Sequence, residues 1–599
     1  MLYNTLMSTE SRSCQNCKQS FELLPEDFTF YERISVPPPT FCPECRLVRR
    51  MSWRNERTLF RGKCALTGKD VITCFAPESG ITVYDRDTWW GDGWDALTYG
   101  RDYDFSKPFF TQFNELLRSI PMPSLFNSRS HQTVYANHTG EVKNAYMVSA
   151  CWGGENFSYC NKAIRTKDST DILGSRDCEL SYEVIGSVKI YKSAFIQDSE
   201  HCSDCWFLYE CRGCTNCFGC TNLRNKSYYI FNQPYSKEEY QAKLASMKLD
   251  TRAGLEAAQK EFETLKAKAL RKYAAIYNCQ NVTGDNLSNV ANAKDSFDVE
   301  DCRDVRFAIN AAQKLTDSYD AYGVGENAEL VYESLDTGIN SSMFLFDIFV
   351  WGGHNVSYGY ACHGSQNLFG CIGLHKKQYC IFNKQYSKEE YEALIPKIIE
   401  QMKMTPYVDA RGRSHGYGEF FPTELSPFAY NETIAQEYFP LSAQAAQEQG
   451  YAWREASKRD YTPTITVDTL PDTIEAVQDS VVSEVIECAH KGSCAHQCPG
   501  AFRVIPQELG LYRRLYLPLP RLCANCRHYE RLAKRNPMKL WTRNCMCEAA
   551  GVPSGGYSNT VAHRHHEAGQ ACPNSFVTPY APERPETVYC EPCYLAEVG

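Results

Sequence analysis

The 599-residue sequence contains no run of 18 or more apolar residues, and its opening, MLYNTLMSTESRSC, lacks the apolar stretch of a signal peptide. A membrane-spanning helix needs about 20 consecutive apolar residues, so these absences point to a cytoplasmic protein with no transmembrane helix. There is no phosphate-cradling GxxxxGK[ST], no HExxH and no recognisable Ser/His/Asp set, which removes the commonest nucleotide-handling and hydrolytic signatures. Positive charge is also in deficit, with a net charge of −9. Cysteine and tyrosine are in excess, at 30 and 38 residues. In a reducing compartment, paired cysteines hold metal more often than they form disulfides, and the remaining thiols serve as small core residues. At about 150 residues per domain, the length implies roughly four units.

The N-terminus reads SCQNCKQSFELLPEDFTFYERISVPPPTFCPECR: a CxxC, 24 residues, and a second CxxC. This is the thiolate set a tetrahedral structural zinc requires, and it nominates Cys14, Cys17, Cys42 and Cys45. Near the other end, GSCAHQCPGAFRVIPQELGLYRRLYLPLPRLCANCR repeats the pattern with a CxxxC, nominating Cys494, Cys498, Cys523 and Cys526, with Cys488 or His496 as substitutes for Cys494. A shift of 481 superposes Cys17 on Cys498, Tyr31 on Tyr512, Cys42 on Cys523 and Cys45 on Cys526, so the two segments are duplicates.

Each duplicate is followed by a second module. A shift of 505 aligns APESGITVYDRDTW (76–89) with APERPETVYCEPCY (581–594), after a 24-residue insertion containing HRHH. The C-terminal copy offers Cys545, Cys572, Cys590 and Cys593, with Cys547, His563, His565 and His566 as substitutes. The N-terminal copy has Cys64, Thr67, Asp85 and Thr88 instead. Threonine is a poor zinc ligand, so this copy is expected to be metal-free, its core completed by TWWGDGW (88–94). Three structural zinc ions are therefore expected.

The pattern CxxC, Phe, acidic-Phe-Tyr, a proline turn and CPxCR resembles zinc-ribbon domains of the treble-clef type over about 35 residues at each end. The wider chain, with WWGDGWDALTYGRDYDFSKPFF and GEFFPTELSPFAYNET, is similar to uncharacterised zinc-ribbon proteins of small-genome bacteria. That resemblance implies zinc binding and brings no activity with it.

The middle of the chain is repetitive. Motifs such as KNAYMV, ENFSYC, KDSTDI and EHCSDC recur between residues 144 and 222 with steps of 12 or 9, and residues 289–380 continue the theme. Such regularity means coils stacking on coils, and two steps per coil give 21–24 residues, suited to a parallel β-solenoid. WGGENFSY at Trp152 returns as WGGHNVSY at Trp351, and each repeat region ends in YSKEEY, where Ser236 with Glu239 and Ser387 with Glu390 have capping-box spacing. The four cysteines of CRGCTNCFGC (211–220) meet Cys362, Ser365, Leu368 and Cys371 in the downstream echo, which favours core packing over a metal cluster.

The expected fold class is multidomain and mainly β: two parallel β-solenoid segments, each capped by a helix, flanked by tandem treble-clef/zinc-ribbon modules at both ends. The expected layout begins with a zinc-binding treble-clef module (1–60), a degenerate zinc ribbon (61–104) and a helical connector (105–130). The first β-solenoid (131–235), a helical insert (236–278), the second β-solenoid (279–385) and a capping helix (386–404) follow. An irregular connector (405–485), the second treble-clef module (486–544) and a C-terminal zinc ribbon (545–599) complete it.

The functional hint is basic. Residues 501–548 hold ten Arg/Lys against three acids, and a helix beginning at the second CxxC would align Arg46, Arg50, Arg54 and Arg57. The duplicate offers Arg527, Arg531, Lys534 and Arg535. Such helices suit phosphate contacts, which makes a non-catalytic zinc scaffold binding nucleic acid, above all structured RNA, the leading expectation. A protein–protein interaction scaffold with purely structural zinc is the alternative. A carbohydrate-active β-helix enzyme using Asp168, Asp171, Asp177 or Asp298 is the remote one.

Overall fold

The computed structural model describes residues 8–455, 462–548, 557–567 and 570–599. The chain divides into two compact units, each discontinuous in sequence: Met1–Leu125 with Ala274–Glu455, and Phe126–Tyr273 with Ala456–Gly599. Each unit therefore joins one terminal cysteine-rich segment to the repeat region that is remote from it in sequence. The architecture is mainly β, with a 12-stranded sheet in the first unit and a 14-stranded sheet in the second.

Both large sheets are parallel except at their last pair, Tyr229↔Pro234 and Cys380↔Gln385. In the second unit the register advances by 12 residues per strand: Val184 pairs with Ile196, Ile196 with Leu208, and Leu208 with Cys220. This corrects the expected repeat of 21–24 residues, because one motif step, not two, returns the chain to the same place. The reason lies in the backbone. From Arg129 to Phe231 every third residue has a positive φ, as at Asn144 (49°), Asn156 (55°) and Asp168 (45°). Two extended residues and one left-handed residue form a triplet, and four triplets fill the 12-residue register. Steps of 9 and 12 are both whole numbers of triplets.

Asn and Asp tolerate the left-handed conformation better than other non-glycine residues, which explains their recurrence at these corners. They also form ladders: Asn144 Nδ2 donates to Asn156 Oδ1 (2.8 Å), and Asn156 Nδ2 to Asp168 Oδ1 (3.1 Å). Asp168, Asp177 and Asp298 belong to such corners; Asp177 is paired with Arg165, and Asp298 accepts from Asn286. At Gly154 and Gly353 of the two WGG motifs, φ is 140° and 131°, and a Cβ would lie 2.4 and 1.9 Å from the carbonyl oxygens of Thr166 and Ser365. The repeated glycine thus marks close approach of successive strands.

The core has the same period of three. Val142, Ala145, Val148 and Cys151 are buried in one cluster with Cys205, Leu208, Cys211, Cys214, Cys217 and Cys220. Interleaved serines tie the layers, Ser187 N donating to Ser175 Oγ and Ser199 N to Ser187 Oγ, both at 3.1 Å. The thiols of Cys211, Cys214, Cys217 and Cys220 donate to the carbonyls of Tyr209, Arg212, Thr215 and Phe218. CRGCTNCFGC is therefore one stretch of a small-residue core, and its spacing is the triplet period.

The two expected capping boxes form. Ser236 Oγ accepts from Glu239 N while Glu239 accepts from Ser236 N, and Ser387 and Glu390 do the same. The helices they start, Lys237–Ser246 and Lys388–Met404, pack Tyr240 on Tyr228 and Tyr391 on Tyr379. A second helix, Arg252–Ala267, follows the first. Among the described residues no helix is long and apolar enough to cross a membrane.

Candidate metal centres and the docked basic helices

At the N-terminus, an antiparallel pair, Glu10–Ser13 with Ser20–Leu23, presents Cys14 and Cys17 in its turn. Cys42 is the N-cap of the helix Pro43–Met51, and Cys45 lies in its first turn. The four sulfurs lie within 4.8 Å of one another, with Cys17 and Cys42 3.7 Å apart. Metal–sulfur bonds of about 2.3 Å in a tetrahedron give sulfur–sulfur edges of about 3.8 Å, so the spacing fits a metal ion. Thiols of Cys42 and Cys45 pointing at Cys14 hold its pKa well below the ordinary range, and Asn16 Nδ2 donates to Cys45 Sγ (3.3 Å). The thiolate is favoured at Cys14, while hydrogen bonding to Cys14 pushes the Cys42 thiol up to about 12 and the Cys45 thiol up as well.

The duplicate cluster consists of Cys488, Cys498, Cys523 and Cys526, with edges of 3.9 Å (Cys488–Cys526) and 3.8 Å (Cys498–Cys523). Cys488 takes the place expected of Cys494. Its amide donates to Gly500 O (2.9 Å) as that of Cys14 does to Gln19 O (2.9 Å), and the shift of 481 maps Gln19 onto Gly500. Cys488 is thus the structural equivalent of Cys14, displaced in sequence by a longer turn. Cys494 instead groups with His490, His496 and Cys526.

In the last module the expected Cys545, Cys572, Cys590 and Cys593 come together, all buried, with Cys545–Cys593 at 3.7 Å and Cys572–Cys590 at 3.8 Å. The Cys545 thiol lowers the pKa of Cys590 to about 4, and Asn574 Nδ2 donates to its sulfur (3.4 Å). A second group, Cys547, His563, His566 and Cys593, adjoins it. The matching N-terminal segment is organised differently. Asp85, aligned with Cys590, caps the helix Arg86–Trp90, and Trp89 is buried against His375 (4.6 Å between rings) and Trp94 (6.0 Å).

The basic helices are buried, in contrast to the exposed face expected from their spacing. In the first unit Arg46 and Arg50 are 1% and 0% exposed, and both grip Asp320, at 2.8 and 3.1 Å. Glu333 accepts from Arg49 (2.8 Å) and Arg50 (3.3 Å), while Arg54 pairs with Asp336 (2.6 Å) and Glu56 (2.7 Å). The second unit repeats the device. Arg527 and Arg531, the residues aligned with Arg46 and Arg50, both grip Asp171, at 2.7 and 2.8 Å, and Arg531 also reaches Glu183 (3.2 Å). Burial opposes the charge on Arg46 and Arg527, and the carboxylates Asp320 and Asp171 more than restore it. Tyr31 on Tyr332 (5.5 Å) and Tyr512 on Tyr182 (5.4 Å) complete equivalent contacts.

In this arrangement Arg46, Arg50, Arg54, Arg527 and Arg531 do not present their charges to solvent. Arg57 is partly buried with Glu437 at 3.3 Å; Lys534 lies 3.9 Å from Glu183, and Arg535 is half-buried. The one-turn spacing of Arg46 with Arg50 and of Arg527 with Arg531 was legible in sequence, but the expected helix is too long: Pro43–Met51 ends before Arg54 and Arg57, and Ala524–Ala533 ends before Lys534 and Arg535. The partner carboxylates, 274 and 356 residues away in the contacts of Arg46 and Arg527, were not legible. His490 was missed altogether, although CAHKGSCAH (488–496) repeats Cys-Ala-His within nine residues and signals paired donors.

No family model matches the chain, and no curated protein matches it. Among solved structures, one described as "putative acetyltransferase from Desulfovibrio desulfuricans G20" is similar at 11% identity over 49% of this chain and 77% of that one, with a TM-score of 0.10. So slight a likeness carries no argument.

Proposed function

We propose that the chain is a non-catalytic scaffold for protein partners, in which zinc-ribbon modules of treble-clef type are clamped onto parallel β-solenoids. The observation that carries this reading is the burial of Arg46, Arg50, Arg527 and Arg531 on Asp320 and Asp171. Removing one partner from a buried ion pair typically costs about 3–5 kcal/mol, so these arginines are committed to holding module on solenoid and are not free to contact phosphate. The chemistry of the cysteine clusters suits zinc, whose closed thiolate sites are structural and offer no open position for substrate. Solenoids expose long regular flanks, here lined with the Asn and Asp ladders, and such flanks serve as binding surfaces.

The nucleic-acid reading now leans on the basic residues left exposed, including Arg513, Arg514 and Lys539. Crosslinking in cells, followed by nuclease or protease treatment of the purified adducts, separates the two. We expect adducts that resist nuclease and dissolve with protease. Structured RNA recovered from the adducts, together with binding by the full chain that weakens steeply between 50 and 200 mM salt as phosphate neutralisation requires, would replace the protein-scaffold reading by the nucleic-acid one.

A further inference from the structure

We propose that each of the two C-terminal modules holds a binuclear zinc centre, bridged by the thiolate of Cys526 in one and of Cys593 in the other, so that the chain carries five ions and not three. The proposal rests on the reading of the cysteine clusters as zinc sites and adds two sites to them. In the first module Cys526 belongs both to the group Cys488, Cys498, Cys523 and Cys526 and to the group His490, Cys494, His496 and Cys526. In the last module Cys593 belongs both to Cys545, Cys572, Cys590 and Cys593 and to Cys547, His563, His566 and Cys593.

Two tetrahedra sharing a corner need seven donors. Each module supplies five cysteines and two histidines in these two groups. The edges of the outer groups are short enough for coordination: Cys526 Sγ is 3.6 Å from Cys494 Sγ and 3.3 Å from His490 Nδ1. Cys547 Sγ is 3.0 Å from His563 Nδ1 and 3.3 Å from His566 Nε2, and the latter is 3.8 Å from Cys593 Sγ. Bonds of about 2.3 Å to sulfur and 2.05 Å to nitrogen give tetrahedral S···N edges of about 3.6 Å. Charge is favourable too. A lone tetrathiolate zinc has a formal charge of about −2, and a second zinc that adds only one further thiolate brings the pair to about −1.

Two features point to a ligand at the outer positions. His496 Nδ1 is buried without a hydrogen-bond partner among the described residues, while its ring lies flat on Tyr529, 5.3 Å between centroids at 7°. His563 turns Nδ1 toward Cys547 and Nε2 toward Glu597, whose carboxylate oxygen is 2.9 Å away. A carboxylate on the far nitrogen is the arrangement that orients metal-bound histidines. His565 Nε2, 3.0 Å from Cys593 Sγ and 3.5 Å from Cys572 Sγ, is placed to donate to the bridging sulfur.

The duplication supplies an internal control. Two residues separate Cys14 from Cys17, but nine separate their equivalents Cys488 and Cys498, and the added turn carries His490, Cys494 and His496. The 24-residue insertion of the last module, between Cys545 and Cys572, likewise contains Cys547, His563 and His566. In both modules every donor of the outer site except the bridging cysteine arrives with the inserted chain, and the N-terminal copies have neither insertion.

Native mass spectrometry of the full chain, purified without added metal and compared with the denatured mass, tests this directly. We expect five zinc ions. Cys494→Ser with His490→Ala, and Cys547→Ser with His566→Ala, should each lose one ion, with the circular dichroism of the sheets unchanged. Cadmium-113 replacement should show two pairs of mutually coupled resonances, coupled through the bridging sulfurs, and one uncoupled resonance from the N-terminal site. Three ions, unaffected by either double variant, would overturn the binuclear centres while leaving the zinc modules intact. Absence of bound metal would overturn both, and any other count below five also defeats the proposal.

Discussion

In the N-terminal module the turn between the first two clustered cysteines is two residues long; in its C-terminal duplicate it is nine, yet the two modules meet their β-sheets through the same contacts. Arg46 and Arg50 hold Asp320 as Arg527 and Arg531 hold Asp171, and Tyr31 packs on Tyr332 as Tyr512 packs on Tyr182. The buried side is the same in both and the cysteine-bearing turn differs. Physically this is the expected asymmetry, because altering one member of a buried ion pair strands the other, whereas lengthening a surface turn costs only a little closure entropy.

Removing metal should separate the two kinds of structure most sharply. A structural zinc contributes about 10–16 kcal/mol of apparent binding free energy to a small site, so a strong chelator should unfold the cysteine modules and leave the parallel sheets folded. Limited proteolysis should then cut near Cys17 and Cys498 while the sheet spectrum persists; simultaneous loss of both would show that the sheets depend on the docked modules.

Next in size is the docking itself. Asp320→Ala and Asp171→Ala should each destabilise their own unit by about 3–5 kcal/mol, read from urea unfolding. Similar losses would support equivalent docking, and a loss below about 1 kcal/mol in either unit would break the comparison, since pairs exposed to water contribute no more than that.

A smaller, pH-dependent difference should appear where the N-terminal copy packs on its sheet. Burial holds His375 down to about 4 from an ordinary 6.5, and it pushes His363 lower as well; both rings lie on Trp90, each 4.7 Å away. Their folded pKa values are depressed, so the stability they contribute is complete above pH 6.5 and is lost as the unfolded chain takes up protons between 6.5 and 4. The slope is at most about 1.4 kcal/mol per pH unit for each histidine. A flatter urea midpoint against pH in His375→Phe checks it. The C-terminal copy has Tyr594 where the N-terminal copy has Trp89.

The smallest effect should come from the thiols that are not ligands. Cys217→Ala leaves a cavity of one sulfur and should cost about 1 kcal/mol without changing metal content, whereas Cys17→Ser should release an ion. Loss of metal on Cys217→Ala would show that the core cysteines are more than packing.

Much of this organisation could be read from residues alone. The cluster of Cys14, Cys17, Cys42 and Cys45 was legible because its cysteines lie close along the chain at a spacing that suits a metal ion. Cys488 was legible only as a substitute, since the longer turn leaves Cys494 nearer to the standard spacing. The repeat was visible as steps of 9 and 12, but its three-residue unit depends on left-handed backbone at positions as varied as Asn144, Met147 and Phe195, which composition only partly marks.

The sequence by itself determined the duplicated cysteine modules, the repeat between them and the two capping boxes, because each of these rests on residues near one another in the chain. Tertiary structure alone decided which repeat each module joins and what its arginines hold. Asp171 and Asp320 look like any other corner aspartate until the fold buries them against a guanidinium pair from the far end of the chain. A buried charge must then keep its partner, and that requirement sets the pairing of module and sheet.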